Sequence, residues 1–131
     1  MAALDQTGIV GGFVVENAFT AELFNLAMET EILPKLGSFC HGEPRSVVVL
    51  DNCAIHNQET IALIHSRGAM AIFLPPYSPD FNPIEMAFKQ MKSWLKTNQD
   101  IAIQHPKEAL LQAAESVTSE TAMNYLIACG Y

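Results

Sequence analysis

Two acidic residues, Asp51 and Glu85, are the strongest candidates for chemistry in this 131-residue chain. Asp51 directly follows the apolar run 46–50, and Glu85 follows a proline-rich loop at the start of a predicted helix. In open α/β sheets, ligand sites lie beyond the carboxyl ends of the strands, where a carboxylate can hold a hard cation such as Mg²⁺. Two carboxylates from separate elements can hold a pair of Mg²⁺ ions that activate water and stabilise a leaving oxygen. The two positions therefore predict a metal site capable of phosphodiester cleavage.

Both acids also have a purely structural interpretation. Asp51 could cap a turn together with Asn52, ahead of the following helix. Glu85 stands three residues after Asn82, so the pair fits a variant of the capping box, and Lys89 follows at the spacing of a helical ion pair. From the residues alone, both interpretations stay open.

Further residues near the two acids could contact DNA. Three lysines recur on the predicted helix face that carries Glu85, where phosphates could lie, although a solvated face is the more common outcome. Tyr77 could stack on a base or pack beneath its loop, and His56 could contact the site or simply open a helix. The predicted DNA contacts are Asn52, His56, Tyr77, Lys89, Lys92 and Lys96.

The elements that must position Asp51 have the pattern of a parallel α/β unit. Residues 46–50 and 71–74 are short apolar runs typical of strands buried on both faces. Between them, Asn57 is a candidate N-cap of a helix that continues through Arg67, and Gly68 suits the left-handed position after it. A strand–helix–strand order with such short connections favours parallel pairing.

The remaining elements are predicted from turn-forming residues and helical periodicity. They are a hairpin of residues 1–4 and 8–15, a helix capped by Thr20 that continues to Leu33, a helix capped by Asn82 and opened by Pro83, and two helices at about 107–117 and 119–128.

Composition limits the class of protein. Half of the residues are apolar and 16% are charged, which favours one globular domain over residues 1–131. The net charge of −7 argues against a self-sufficient DNA-binding module, because such modules usually carry a basic surface. Three widely spaced cysteines without a CxxC pair indicate reduced thiols in an intracellular protein, and no apolar run reaches the length of a membrane span. Any DNA contact is therefore expected to be local, weak or assisted by a partner.

Two motifs resemble the DDE catalytic domain of mariner-like transposases. The first is an apolar strand followed by Asp-Asn-x-x-x-His in VVVLDNCAIHN, and the second, which is long and specific, is LPPYSPDFNPIE. Thirty-three residues separate Asp51 and Glu85, close to the family's usual interval. The resemblance implies an α/β, ribonuclease H-like fold with a mixed sheet flanked by helices. It also implies dependence on Mg²⁺ or Mn²⁺, the cutting and joining of DNA ends, and a nuclear location.

The resemblance further implies which acids of the catalytic triad the chain holds. Asp51 matches the second acid and Glu85 the third, whereas the first acid of the family lies on a central strand before the hairpin. The chain begins at about the hairpin's first strand, so we expect a truncated or domesticated domain that lacks the first central strand and cleaves DNA poorly alone. Open sheet edges would then invite a homodimer or another chain that completes the sheet. The alternative is an acidic protein-interaction or dimerisation module that reuses the fold without catalysis.

Overall fold

The computed structural model describes residues 1–131 and is a mixed α/β structure with six α-helices and two small sheets. The strands pair as β1 (Ala2–Asp5) with β2 (Gly8–Gly12), and as β3 (Val47–Leu50) with β4 (Met70–Phe73). The helices are α1 (Ala21–Ala27), α2 (Gln58–Ser66), α3 (Pro83–Thr97), α4 (Gln99–Gln104), α5 (Pro106–Glu115) and α6 (Ser119–Ala128). None of the helices combines the length and the hydropathy that crossing a bilayer requires.

The chain divides into two compact units. Residues 1–2 and 11–79 form the first unit, and residues 3–10 and 80–131 form the second. Asp51 therefore belongs to the first unit and Glu85 to the second.

The β1–β2 hairpin confirms the predicted turn, although β2 ends at Gly12 rather than continuing to residue 15. The Asp5 carboxylate accepts a hydrogen bond from the backbone N–H of Thr7 at 2.7 Å, which closes the turn. Gly8 follows with φ 124°, and a Cβ there would lie 2.7 Å from the carbonyl oxygen of Val117. This position therefore requires glycine, both for its backbone conformation and for lack of space.

The helix predicted after Thr20 begins as expected, because the Thr20 hydroxyl accepts a hydrogen bond from the N–H of Leu23 at 3.2 Å. The prediction of one continuous helix is wrong in its second half. After α1 the chain winds as a π-helix over Met28–Ile32 and then as a short 3₁₀ helix over Leu33–Lys35. Pro34 explains the change, because it has no N–H to donate and its ring conflicts with the carbonyl one turn earlier.

β3 and β4 pair in parallel, as predicted, with Val47 opposite Met70 and Leu50 opposite Phe73. The α2 helix connects them, capped by the Asn57 side chain, which accepts from the N–H of Thr60 at 3.2 Å. Gly68 follows the helix with φ 76°, which confirms its predicted left-handed conformation. The Asn57 cap and Gly68 therefore set the two ends of α2 within this β–α–β unit.

The prediction that these two strands are buried on both faces is wrong. Leu50 is buried, but four side chains on the two strands are more than a third exposed. These four residues, which we call the exposed β3–β4 face, are Val47, Val49, Met70 and Ile72.

In the second unit, α3 packs against α5 and α6. Its fully buried Ala87 meets Val117 and Ala122 in a core that small side chains allow to close tightly. Leu4 and Ile9 of the hairpin pack against the same core. The two C-terminal helices confirm the prediction, whereas α4 was not predicted; it is six residues long and has no side-chain cap at its start.

Candidate metal-binding and DNA-binding residues

Asp51 lies immediately after β3, at the carboxyl end of a parallel strand, as the sequence predicts. Its side chain is 50% exposed, whereas the preceding Leu50 is 7% exposed. The buried end of β3 thus anchors the backbone while the carboxylate projects to solvent. Asn57 caps α2, as the sequence predicts, and the interpretation of Asp51 as the cap of a turn together with Asn52 stays a prediction.

His56 is brought directly to Asp51. Its ring atom Nδ1 lies 2.9 Å from Asp51 Oδ1 and 3.0 Å from the Asp51 carbonyl oxygen. The His56 side chain is only 10% exposed, and the centroid of its ring lies 4.5 Å from that of Phe24. His56 is therefore packed into the first unit, in contact with the predicted metal ligand.

Tyr77 lies in the proline-rich loop and is fully exposed, at 103%. The alternative in which Tyr77 packs beneath its loop is therefore wrong. Its φ of 55° is in the left-handed region, which costs a non-glycine residue roughly 1 kcal/mol or more and is frequent at functional sites. The exposed ring offers a face on which an unpaired base could stack.

Glu85 occupies the third position of α3 and is exposed. Asn82 makes no side-chain capping hydrogen bond, and Glu85 and Lys89 form no ion pair. Neither of the two structural roles that the sequence offered for Glu85 is present. The carboxylate is left at a helix N-terminus, which favours a negative charge.

Lys89, Lys92 and Lys96 are exposed on α3, and none of them forms an ion pair. At a rise of 1.5 Å per residue, the face from Glu85 to Lys96 extends about 16 Å along the helix. Asn52 is exposed as well and makes no hydrogen bond through its side chain. The roles of these residues in DNA binding stay predictions.

The donor groups are consistent with a Mg²⁺ or Mn²⁺ ion, which proteins usually hold through one or two carboxylates together with substrate phosphates and water. Asp51 and Glu85 are exposed carboxylates, and His56 is the one side chain that contacts either of them through a polar atom. The structure contains no group of three or more His, Cys, Asp or Glu side chains that could hold a metal ion. The oxygen chemistry is therefore suitable, and a ligand set of three is not formed within either unit.

Burial raises the pKa of the Cys129 thiol in the second unit, and the Asp80 carboxylate raises it further. The nearby Tyr131 hydroxyl, whose pKa burial also raises, donates a hydrogen bond to the carbonyl oxygen of Phe81 at 2.9 Å. Sequence reasoning did not identify the hydrogen bond between Tyr131 and Phe81, because the two residues lie fifty positions apart in the chain.

A family model described as DDE superfamily endonuclease matches residues 1–105. The matched range contains every predicted metal-binding and DNA-binding residue and ends before α5. Searches of curated proteins and of solved structures return no match.

Proposed function

Because the chain belongs to the DDE superfamily endonuclease family, we propose that it is a transposase catalytic domain of the mariner-like type that acts on DNA ends. In this proposal Asp51 and Glu85 are carboxylate ligands for divalent cations. The observation that carries it is the family match, which includes both acidic motifs. The exposure of both carboxylates supports it, because a metal ligand must be accessible to the ion and to the DNA phosphate.

When bound, Mg²⁺ or Mn²⁺ would supply an activated water and stabilise the leaving oxygen of the phosphodiester. The residues of the chain would bind and orient the DNA. Lys89, Lys92 and Lys96 would attract phosphates along α3, Tyr77 would stack on an unpaired base, and Asn52 would donate to the DNA beside Asp51.

We further propose that residues 1–131 alone cleave DNA poorly and act with another chain or segment. Two carboxylates hold a second ion weakly, since a two-metal site needs ligands that bridge both ions. The β3–β4 sheet has only two strands, so each strand has one unpaired edge. Such edges pair readily with further strands, which would extend the sheet toward a ribonuclease H-like arrangement. A homodimer is the expected form, and a monomeric mass in light scattering would contradict it.

A cation titration tests the metal site. Mn²⁺ binding to the 131-residue chain is measured calorimetrically in the parent protein and in the Asp51→Ala and Glu85→Ala variants. Binding should be lost or weakened at least tenfold in both, because each variant removes a charged oxygen ligand. Glu59→Ala is the matched control, since Glu59 is an exposed acid in the first turn of α2 and lies outside both motifs.

The second candidate function is an acidic protein-interaction module without catalysis. The exposed β3–β4 face favours it, because four apolar side chains at neighbouring register positions are open to solvent. The net charge of −7 also favours a protein partner over DNA. Parent protein that binds no Mn²⁺, even at millimolar concentration, would support this function and refute the metal site.

A further inference from the structure

We propose that His56 is a positioning residue that holds the Asp51 carboxylate in one rotamer, ready to bind a cation. The inference deepens the proposed function and rests on it for the identity of the ligand. The contact itself is independent of any metal, because His56 Nδ1 lies 2.9 Å from Asp51 Oδ1.

The position of the His56 ring is determined by packing that does not involve Asp51. The ring lies against Phe24, which is 6% exposed, and only 10% of the His56 side chain is accessible. The backbone N–H of His56 donates to the carbonyl oxygen of Cys53 at 3.0 Å, and the next residue, Asn57, caps α2. Packing on Phe24 therefore holds the ring, and the hydrogen bonds of His56 N–H and of Asn57 hold the backbone on both sides of it.

The Asp51 side chain, in contrast, is not held by packing. It is 50% exposed, and His56 is its only hydrogen-bonding partner. An exposed aspartate without a partner would distribute over the staggered χ1 rotamers. Since the His56 ring is held by packing and the Asp51 side chain is half exposed, the histidine orients the carboxylate and not the reverse.

The geometry also assigns the proton on the ring. Nδ1 faces two acceptors of the same residue, the Oδ1 carboxylate oxygen and the backbone carbonyl oxygen at 3.0 Å. An unprotonated Nδ1 would repel both, so Nδ1 carries the hydrogen and donates it. Oδ1 is thereby occupied, and Oδ2 has no partner and remains open for a cation. Hydrogen bonds that orient a metal ligand typically change metal affinity about 10–100-fold.

Two variants separate the Nδ1 donor from the bulk of the ring. His56→Asn places an amide N–H close to the position of Nδ1, whereas His56→Gln carries it further out, near the position of Nε2. Both variants lose the ring packing against Phe24, so the difference between them reports the donor.

The first measurement needs no metal. Three-bond Hα–Hβ couplings of Asp51 should indicate one χ1 rotamer in the parent chain and in His56→Asn, and averaged rotamers in His56→Gln. Averaged couplings in the parent would overturn the inference, and so would a single rotamer retained in His56→Gln. Averaging in both variants would overturn it too, because the ring contact with Phe24, and not the Nδ1 donor, would then hold Asp51.

The second measurement is Mn²⁺ affinity, with the same three proteins and Asp51→Ala as a reference. The expected result is a loss of about tenfold in His56→Gln and of less than about threefold in His56→Asn. Equal affinity in all three would overturn the role of His56 while leaving the metal site intact. If the parent binds no Mn²⁺, the proposed function fails, and the Asp51 couplings still decide whether His56 positions the carboxylate. If a variant does not fold, the couplings of the parent alone decide it.

Discussion

Thr60→Val tests whether a buried polar pair joins α1 to the start of α2. Thr60 is fully buried, and its hydroxyl donates to Asn25 Oδ1 at 2.7 Å. Asn25 is 4% exposed, and its Nδ2 has no hydrogen-bond partner. Valine keeps the shape of threonine but removes the hydroxyl. The substitution would therefore leave the whole Asn25 amide buried without a partner.

The expected loss of stability in Thr60→Val follows from the burial of both Thr60 and Asn25. Leaving a buried polar group unsatisfied costs about 1–3 kcal/mol, and the Asn25 amide would lose its one remaining partner. We expect the free energy of unfolding to fall by about 2–3 kcal/mol. At roughly 4 °C per kcal/mol for a chain of this size, the melting temperature should fall by about 8–12 °C.

A double-mutant cycle isolates the interaction. Asn25→Leu alone removes the unsatisfied Nδ2 but leaves the Thr60 hydroxyl with only Asn57 Oδ1, at 3.3 Å. The double variant replaces both partners by apolar groups, which is often nearly neutral. Its stability should lie within about 1 kcal/mol of the parent, giving a coupling energy of about 2 kcal/mol.

Urea unfolding followed by circular dichroism measures all four proteins. A loss below about 0.5 kcal/mol in Thr60→Val would refute the reasoning, because it would mean that the Asn25 amide finds another partner. A double variant as unstable as Thr60→Val would refute it equally, since the cost would then come from packing and not from the unpaired amide.

Three further predictions concern the backbone at Gly8, the thiol of Cys129 and the exposed ring of Tyr77. Gly8→Ala should destabilise the chain by about 1–3 kcal/mol in the same urea assay, because its φ of 124° and the carbonyl of Val117 at 2.7 Å both exclude a side chain; unchanged stability would contradict this. Cys129 should react with iodoacetamide more slowly than the exposed Cys40 at about pH 8, since a raised pKa leaves less thiolate, and the difference should narrow as the pH rises. Mass spectrometry of the tryptic peptides gives the rates, and equal rates at pH 8 would contradict the raised pKa. Tyr77→Ala should weaken binding to single-stranded DNA by about 1–3 kcal/mol in fluorescence anisotropy without changing the melting temperature, because the ring is fully exposed; unchanged affinity would exclude stacking.

The candidate site could be predicted from sequence where its signals are local. The position of Asp51 at the end of a strand follows from four apolar residues, 47–50, and the start of α2 follows from Asn57, whose side chain accepts from the N–H of Thr60. The contact between His56 and Asp51 was within reach of sequence reasoning, because only five positions separate them. The packing of the His56 ring on Phe24 was not within reach, since Phe24 lies thirty-two positions earlier in the chain.

Exposure was the property that local patterns predicted worst. The sequence left open whether Tyr77 packs beneath its loop, and its side chain is fully exposed; the β3 and β4 strands, predicted to be buried on both faces, have one exposed apolar face. An apolar run shows that a strand has hydrophobic side chains, but it does not show which other elements cover them. Glu85 shows that local patterns can also predict contacts that do not form. It makes neither the capping contact with Asn82 nor the ion pair with Lys89 that its sequence neighbours suggest.

The amino-acid sequence by itself determined the family, the two acidic motifs, the parallel β–α–β unit and the left-handed conformation of Gly68, because each depends on residues close together in the chain. Only the tertiary structure decided that His56 packs on Phe24 while bonding Asp51, and that Thr60 pairs with Asn25 across 35 positions. Hydrogen bonds within a turn and backbone dihedral limits act over a few residues. Burial and long-range pairing depend instead on which distant surfaces the folded chain brings together.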